Sequence, residues 1–229
     1  MLLQSPEISL NRREYQKNGF TIIKNLYSQT EVEMAKSVSK KKNIHRKSSV
    51  VSLFNSETIP DSLKDFVCAP KIKNELNKIL SPEVDFLSVK PVYKDEKISS
   101  GTPWHQDWVY WNGNNHKCSV WVALDDANPN NGCLKVIPGS HKKLYDHGNQ
   151  KGIEFGRNVN QSQIQNLKAI DVPLESGDAL FFHDLLLHAS HPNLSGRDRW
   201  SLIATYRDST VEDSGCALYE NLWSKRIAL

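Results

Sequence analysis

The residues with the clearest chemical potential lie in segment 104–108, which reads Trp-His-Gln-Asp-Trp. His105 and Asp107 are two positions apart, so on a β-strand both side chains would point to the same face. An imidazole and a carboxylate on one face can supply two ligands of a metal ion. One more histidine would complete the set of two histidines and one carboxylate that binds non-haem Fe(II) and leaves coordination positions open. The pair alone is a weak signal, so the remaining histidines matter.

Three of the eight histidines follow the apolar strand pattern over residues 179–182 and are candidates for the third ligand. They are His183, His188 and His191. The other histidines lie in polar or turn-forming segments, where we expect solvated side chains: His45, His116, His141 and His147. The local pattern leaves the choice among the three candidates open.

A second polar pair lies in the last strong strand pattern of the chain. Arg199, Ser201 and Ile203 share one face of that strand, and Trp200 and Leu202 share the other. A buried arginine is costly unless it meets an anion. A guanidinium beside a hydroxyl suits a bound carboxylate. An internal Asp or Glu partner is the alternative explanation.

The elements that must position these residues begin with a helical part over about 1–82. After a loose lead-in to about Arg13, a short helix is expected to end at Gly19 and to be followed by a strand over 20–23. Ser28 and Glu31 have the spacing of a capping box, which predicts a helix from there to about Lys40. Residues 43–57 give no clear pattern. A second helical region over 59–80 is broken by Pro60 and Pro70.

From about 83 to 210, short strand patterns alternate with turn signals. The predicted strands cover 85–93, 117–124, 133–137, 169–172, 179–183 and 200–206. This order predicts a mainly β, antiparallel jelly roll with the N-terminal helices packed on one sheet. The polar stretch 141–167 is long for a connection and is either a lid or a surface excursion. We expect residues 1–229 to form one domain.

Composition limits the classes of protein. The formal net charge is +3, and we interpret the basic residues 40–47 as a solvated helix end rather than a nucleic-acid site. No apolar run reaches the roughly 18 residues of a membrane span, and the N-terminus does not resemble a signal peptide. The four cysteines have no metal-binding spacing and are expected to be reduced. We therefore expect a cytoplasmic protein with neither nucleic acid nor membrane as a partner.

Taken in order, segments along most of the chain resemble the phytanoyl-CoA dioxygenase-like branch of the Fe(II)/2-oxoglutarate oxygenases. The matching segments are Gly-Phe-Thr-Ile-Ile-Lys-Asn at 19–25, Lys90-Pro91, Trp-His-Gln-Asp at 104–107, Val-Trp-Val-Ala-Leu-Asp-Asp at 120–126, Asn-Gly-Cys-Leu-Lys-Val-Ile-Pro-Gly-Ser-His-Lys at 131–142, Gly177-Asp178, His188-Ala189-Ser190, Pro192-Asn193 and Arg199. The ordered set is far more specific than any one of its members.

The resemblance implies a double-stranded β-helix and the roles of single residues. His105 and Asp107 match the family's first two iron ligands. His188 matches the distal histidine, because the family's co-substrate arginine lies eleven positions further on, at Arg199. That spacing excludes His183 and His191.

The same resemblance implies a site for 2-oxoglutarate. Arg199 would bind its distal carboxylate, with Ser201 as a helper. Lys90, Trp111 and Thr102 would complete the co-substrate pocket. The aromatic residues Trp104, Trp108 and Tyr110 are candidates for the wall of a substrate pocket, with simple packing as the alternative.

The cofactors implied are Fe(II), 2-oxoglutarate as co-substrate and O2, with ascorbate as reductant in vitro. Relatives that halogenate carry a small residue at the position of Asp107. The carboxylate therefore implies hydroxylation, or a related oxidation, of an unactivated C–H bond, with succinate and CO2 as co-products. We expect a small-molecule substrate from natural-product metabolism.

Two other functions fit parts of the pattern. A metal-dependent jelly-roll isomerase or hydrolase would also use two histidines and a carboxylate, with zinc as the metal. A dicarboxylate site at Arg199 does not suit such an enzyme. A non-catalytic small-molecule-binding relative is the other alternative, and the presence of all three ligands and the arginine argues against it.

Overall fold

The computed structural model describes residues 9–42, 50, 52–95, 100–111, 113–148, 157–212 and 227–229. Several predictions fall outside these ranges. They concern residues 1–8 of the lead-in, His45 with the basic residues 46 and 47, residues 43–49 and 51 of the unassigned segment 43–57, residues 149–156 of the polar stretch 141–167, and Cys216.

The N-terminal helices begin and end close to the residues that the sequence marks. They are α1 (Leu10–Asn18), α2 (Gln29–Lys42), α3 (Asp61–Val67) and α4 (Pro70–Ile79). Gly19 ends α1 in the left-handed conformation, with φ at 84°. Ser28 N–H donates to Glu31 at 2.9 Å, and Glu31 N–H donates back to Ser28 Oγ at 3.4 Å, which confirms the capping box. A short helix, α5 (Trp108–Trp111), is not predicted by the sequence pattern.

The strands of the described residues form two antiparallel sheets. They are β1 (Phe20–Ile23), β2 (Val84–Lys94), β3 (Lys117–Ala123), β4 (Leu134–Val136), β5 (Ile170–Val172), β6 (Ala179–His183), β7 (His188–Ser190), β8 (Arg199–Asp208) and β9 (Ile227–Ala228). The larger sheet has the order β1-β6-β3-β8-β2-β9, and the smaller has the order β5-β4-β7. These sheets are the two layers of a double-stranded β-helix, so the predicted fold class is confirmed.

The larger sheet is covered on both faces because its side chains alternate between them. On one face, residues such as Phe181 pack with Leu63 and other helical residues. On the other face, Trp121 packs with Leu134 of the smaller sheet. The helices therefore cover one side of the sheet, as predicted. The space between the two sheets is lined by residues of both sheets, and these include the polar residues His188 and Arg199.

The cysteines and the helices test two expectations drawn from the composition. Cys68, Cys118 and Cys133 are free thiols, as expected for these three positions. None of the helices in the described ranges is both long enough and apolar enough to cross a membrane.

Candidate metal centre

Two short segments bring the predicted metal ligands together. His105 N–H donates to His188 O at 3.0 Å, and His188 N–H donates to His105 O at 3.1 Å. Segment 104–108 is not a continuous strand, because this pairing stops after one residue. Pro103 has no N–H to extend it, and Asp107 begins the turn into α5. The single bridge is enough to place both histidines beside the carboxylate.

The side chains of His105, Asp107 and His188 converge, and their ligand atoms lie within 4.8 Å of one another. Nε2 of each histidine is 3.7 Å from Asp107 Oδ1. The two Nδ1 atoms lie 2.8 Å and 2.9 Å from the carbonyl oxygens of Pro103 and Leu186. A proton on each Nδ1 therefore has an acceptor, and each Nε2 lone pair is left for a metal ion.

Burial and neighbouring groups set the charge of these ligands. Burial, followed by the nearby His188, lowers the pKa of His105, so this ring is neutral near pH 7. Burial disfavours the charged form of Asp107, but His188, Lys90, His105 and the Ser119 hydroxyl outweigh it and lower the pKa of this carboxyl. Ser119 Oγ donates to Asp107 Oδ2 at 3.0 Å, which leaves Oδ1 facing the histidines. Imidazole lone pairs and an ionised carboxylate fit a ferrous ion.

Arg199 lies in the same cavity as the three ligands. It is 1% exposed, its Nη1 donates to Ser201 Oγ at 2.7 Å, and its Nε is buried without a hydrogen-bond partner. Burial lowers its pKa only to about 10, so it remains a cation. Among the described residues no carboxylate forms an ion pair with it, and Asp125 stabilises its charge only from beyond ion-pair distance. An anion that enters the cavity would meet an available guanidinium.

Some of the other predicted site residues line this cavity and some do not. Lys90 and Thr102 line it together with the ligands and Arg199. Ser201 is not among the lining residues and contacts the site through Arg199. Trp111 is buried on α5, past the turn at Asp107, and does not line the cavity. The aromatic residues expected around the pocket do not line it either: Trp104, Trp108 and Tyr110.

Gln106, between the two first ligands, is a site residue that the sequence reasoning did not single out. It is fully buried. Its amide nitrogen donates to Leu185 O at 2.5 Å and to Lys143 O at 2.8 Å, and its amide oxygen accepts from Tyr145 N at 2.9 Å. Gln106 thus joins segment 104–108 to the turn before His188 and to the first part of stretch 141–167. Its position between two ligands was the signal available in the sequence.

A second group of histidines surrounds Asp184, close to the start of that turn. The Nδ1 atoms of His116 and His183 lie 3.1 Å and 3.0 Å from Asp184 Oδ1. Lys117 N–H donates to Asp184 Oδ2 at 2.8 Å, and Leu185 N–H donates to His183 Nδ1 at 3.1 Å. The last bond occupies the lone pair of His183 Nδ1, the ring nitrogen that faces Asp184. We therefore interpret this cluster as hydrogen-bonded support for the turn between β6 and β7.

Solved structures define the class of fold. The chain is similar to the epimerase SnoN in complex with Fe3+, alpha ketoglutarate and nogalamycin RO, with a TM-score of 0.76, 20% identity, and coverage of 91% of this chain and 86% of that one. It is also similar to the carbocyclase SnoK from nogalamycin biosynthesis, with a TM-score of 0.75, 20% identity, and coverage of 94% and 89%. Both likenesses concern the fold.

The sequence defines the family. The family model for Phytanoyl-CoA dioxygenase (PhyH) matches residues 15–201. Peroxisomal phytanoyl-CoA dioxygenase of Bos taurus is 28% identical over 235 residues, covering 88% of this chain and 69% of that protein. A probable alpha-ketoglutarate-dependent hypophosphite dioxygenase of Stutzerimonas stutzeri is 28% identical over 239 residues, covering 91% and 82%.

The chain belongs to the phytanoyl-CoA dioxygenase family. It is a non-haem iron dioxygenase that depends on 2-oxoglutarate and uses Fe(II) and O2. The family and cofactors implied by the sequence resemblance are therefore confirmed.

Proposed function

We propose that His105, Asp107 and His188 hold the Fe(II), and that the protein hydroxylates an unactivated C–H bond of a small molecule in natural-product metabolism. The observation that carries this proposal is the convergence of the three ligand atoms within 4.8 Å, in a cavity that also contains Arg199. In the balanced reaction, substrate, 2-oxoglutarate and O2 give hydroxylated substrate, succinate and CO2.

The chain's own residues bind and orient the reactants. When bound, the iron, 2-oxoglutarate and O2 together supply the oxidising chemistry. Asp107 contributes one negative charge to the metal site, and Arg199 binds the distal carboxylate of 2-oxoglutarate through charge-assisted hydrogen bonds. Apolar lining residues keep water away from the reacting C–H bond; they are Val92, Trp121, Leu134, Phe182 and Ile203.

The proposed substrate class rests on the lining and on the relatives. The apolar side chains suit the hydrocarbon part of a small molecule. SnoN and SnoK, which share this fold, are an epimerase and a carbocyclase from nogalamycin biosynthesis. The carboxylate at Asp107 occupies the position that is small in halogenating relatives, so it supports hydroxylation over halogenation. The buried thiols of Cys118 and Cys133 fit a reducing compartment such as the cytosol.

Succinate release tests the assignment of the site. Purified protein with Fe(II), ascorbate and O2 should convert 2-oxoglutarate to succinate, slowly without substrate. Asp107→Ala and His188→Ala should abolish this turnover, because each removes a metal ligand. Arg199→Ala should raise the 2-oxoglutarate concentration needed by about 10- to 100-fold, since it removes charge-assisted hydrogen bonds.

His191→Ala is the matched control. His191 lies three residues after His188, but its Nε2 faces Asp171 Oδ1 at 2.6 Å, outside the candidate metal site. It should behave like the wild type. Wild-type turnover in the Asp107, His188 and Arg199 variants would refute the site. Bound zinc without any 2-oxoglutarate turnover would favour a hydrolase or isomerase instead.

A further inference from the structure

Lys94 is the last residue of β2 and lies directly opposite Arg199 of β8 in the antiparallel register. Both side chains line the cavity that contains the candidate metal ligands. Lys94 is 2% exposed and Arg199 is 1% exposed. Because Cβ atoms of directly opposed residues lie about 5 Å apart, the sheet places two buried basic side chains next to each other.

Neither of these residues forms an ion pair with a described carboxylate, and Asp125 stabilises the charge of Arg199 only from beyond ion-pair distance. Lys94 Nζ donates to Ser190 Oγ at 2.7 Å, to His191 O at 2.6 Å and to Ser100 O at 3.1 Å, and all three acceptors are neutral. Like charges opposite each other destabilise a sheet, and buried charges are costly unless paired. Burial, followed by the charge of Arg199, lowers the pKa of Lys94 to about 7. An anion bound in the cavity would interact favourably with both groups and would keep Lys94 protonated as an ammonium near pH 7.

Ser190 connects Lys94 to the cavity. Its Oγ accepts hydrogen bonds from Lys94 Nζ at 2.7 Å and from Thr102 N–H at 2.9 Å, so both of its lone pairs are used. The hydroxyl proton is left to donate, and no described residue accepts it. Ser190 lines the cavity two residues after His188. An ammonium bonded to a hydroxyl oxygen also polarises the O–H group and makes it a stronger donor.

We propose that Lys94 is a positioning residue that makes the co-substrate site selective for a 2-oxo diacid. It adds a second positive charge for the distal carboxylate and holds the Ser190 hydroxyl so that it donates to that group. The inference rests on the proposed role of Arg199 in the same site. Lys94 acts through Ser190 and through its charge, because the three protons of its ammonium already have acceptors.

The test compares two ligands that differ only at the distal end. 2-Oxoglutarate has a carboxylate there, and 2-oxopentanoate has a methyl group. Binding is measured by calorimetry without O2 and with Mn(II) as the metal, so turnover plays no part. Lys94→Met should weaken 2-oxoglutarate binding by about 10-fold or more. It should change 2-oxopentanoate binding by no more than about twofold. Lys94→Arg, which keeps the charge, should recover part of the loss.

Lys135→Met is the matched control, because it makes the same chemical change on β4 at a side chain that does not line the cavity. A Lys94 with a merely structural role would weaken both ligands equally, and that result would overturn the proposal. Unchanged 2-oxoglutarate binding would overturn it as well. A wild-type protein that does not bind 2-oxoglutarate would instead refute the proposed function.

Ser190→Ala provides a second variant if Lys94→Met does not fold, which a thermal unfolding scan will show. It leaves Lys94 in place but removes the hydroxyl that would donate into the cavity and that accepts from Lys94 Nζ and Thr102 N–H. We expect Ser190→Ala to reduce the preference for 2-oxoglutarate over 2-oxopentanoate. An unchanged preference would contradict the proposed route from Lys94 through Ser190.

Discussion

At the scale of single residues, one oxygen of Asp107 is held by the protein, which leaves the other for the proposed metal ion. Ser119 is fully buried on β3, and its Oγ donates to Asp107 Oδ2 at 3.0 Å. Ser119→Ala removes this bond and lets the carboxylate rotate away from the two histidines. Because partners that orient metal ligands affect affinity strongly, we expect Mn(II) binding to weaken by about 10- to 100-fold. Titration with Mn(II), in which the electron paramagnetic resonance signal of the free ion is monitored, measures this affinity.

Ser88→Ala is the control for that experiment. Ser88 is also a buried serine on a strand of the same sheet, but it does not line the cavity. Its loss should leave Mn(II) affinity unchanged. Wild-type affinity in Ser119→Ala would show that the two histidines orient the site without help from β3.

At the scale of elements, the sequence predicted those strands whose run of apolar residues is long enough to be recognised as a strand pattern. β3, β6 and β8 are rich in buried apolar residues because their sheet is covered on both faces. β7 is only His-Ala-Ser and exists through its pairing with β4, so no local pattern marks it. The position of His188 was therefore predicted by family resemblance and not by strand propensity.

Lys94 shows a second limit of sequence reasoning. A lysine at the end of a strand is normally expected to be solvated. Here it is buried because Gly132, distant in the sequence, has no side chain: a Cβ at Gly132 would lie 2.8 Å from Lys94 Cδ. Gly132 also has a positive φ of 93°, which favours glycine. Such a contact between distant segments has no local signal.

Gln106 joins segment 104–108 to stretch 141–167 by hydrogen bonds, so its loss should loosen the first part of that stretch. Gln106→Met keeps the approximate shape but removes the bonds to Lys143 O, Leu185 O and Tyr145 N. We expect faster hydrogen exchange at the Tyr145 amide and over neighbouring residues 143–147, measured by mass spectrometry.

Gln161→Met is the matched control for this prediction, since Gln161 is exposed in the same stretch and its side chain makes no hydrogen bond to residues 143–147 among the described residues. It should change exchange at Tyr145 much less than Gln106→Met does. Equal exchange in Gln106→Met and the wild type would mean that apolar packing alone holds residues 143–147. That packing involves Ile137, Val159, Ile164 and Leu187.

At the scale of the whole molecule, the N-terminal helices and the larger sheet share one apolar core. β8 begins at Arg199 in the cavity and reaches the helices at Tyr206, whose hydroxyl donates to Val67 O at the end of α3 at 2.7 Å. Tyr27 on the helical side stacks on Phe66 with ring centroids 3.8 Å apart. The strand that carries Arg199 is thus held in place by the helical layer.

Tyr206→Phe tests whether the two layers unfold together. The change removes one buried hydroxyl and leaves the Val67 carbonyl without this donor, which should cost about 1–3 kcal/mol of unfolding free energy. If helices and sheet form one cooperative unit, urea unfolding followed by far-UV circular dichroism and by tryptophan fluorescence should shift to a lower midpoint by the same amount. Tyr145→Phe is the control, because the hydroxyl of Tyr145 makes no hydrogen bond to any described residue. Separate transitions for the two signals would contradict a shared core, since the helical layer would then unfold while the sheet and Arg199 remained in place.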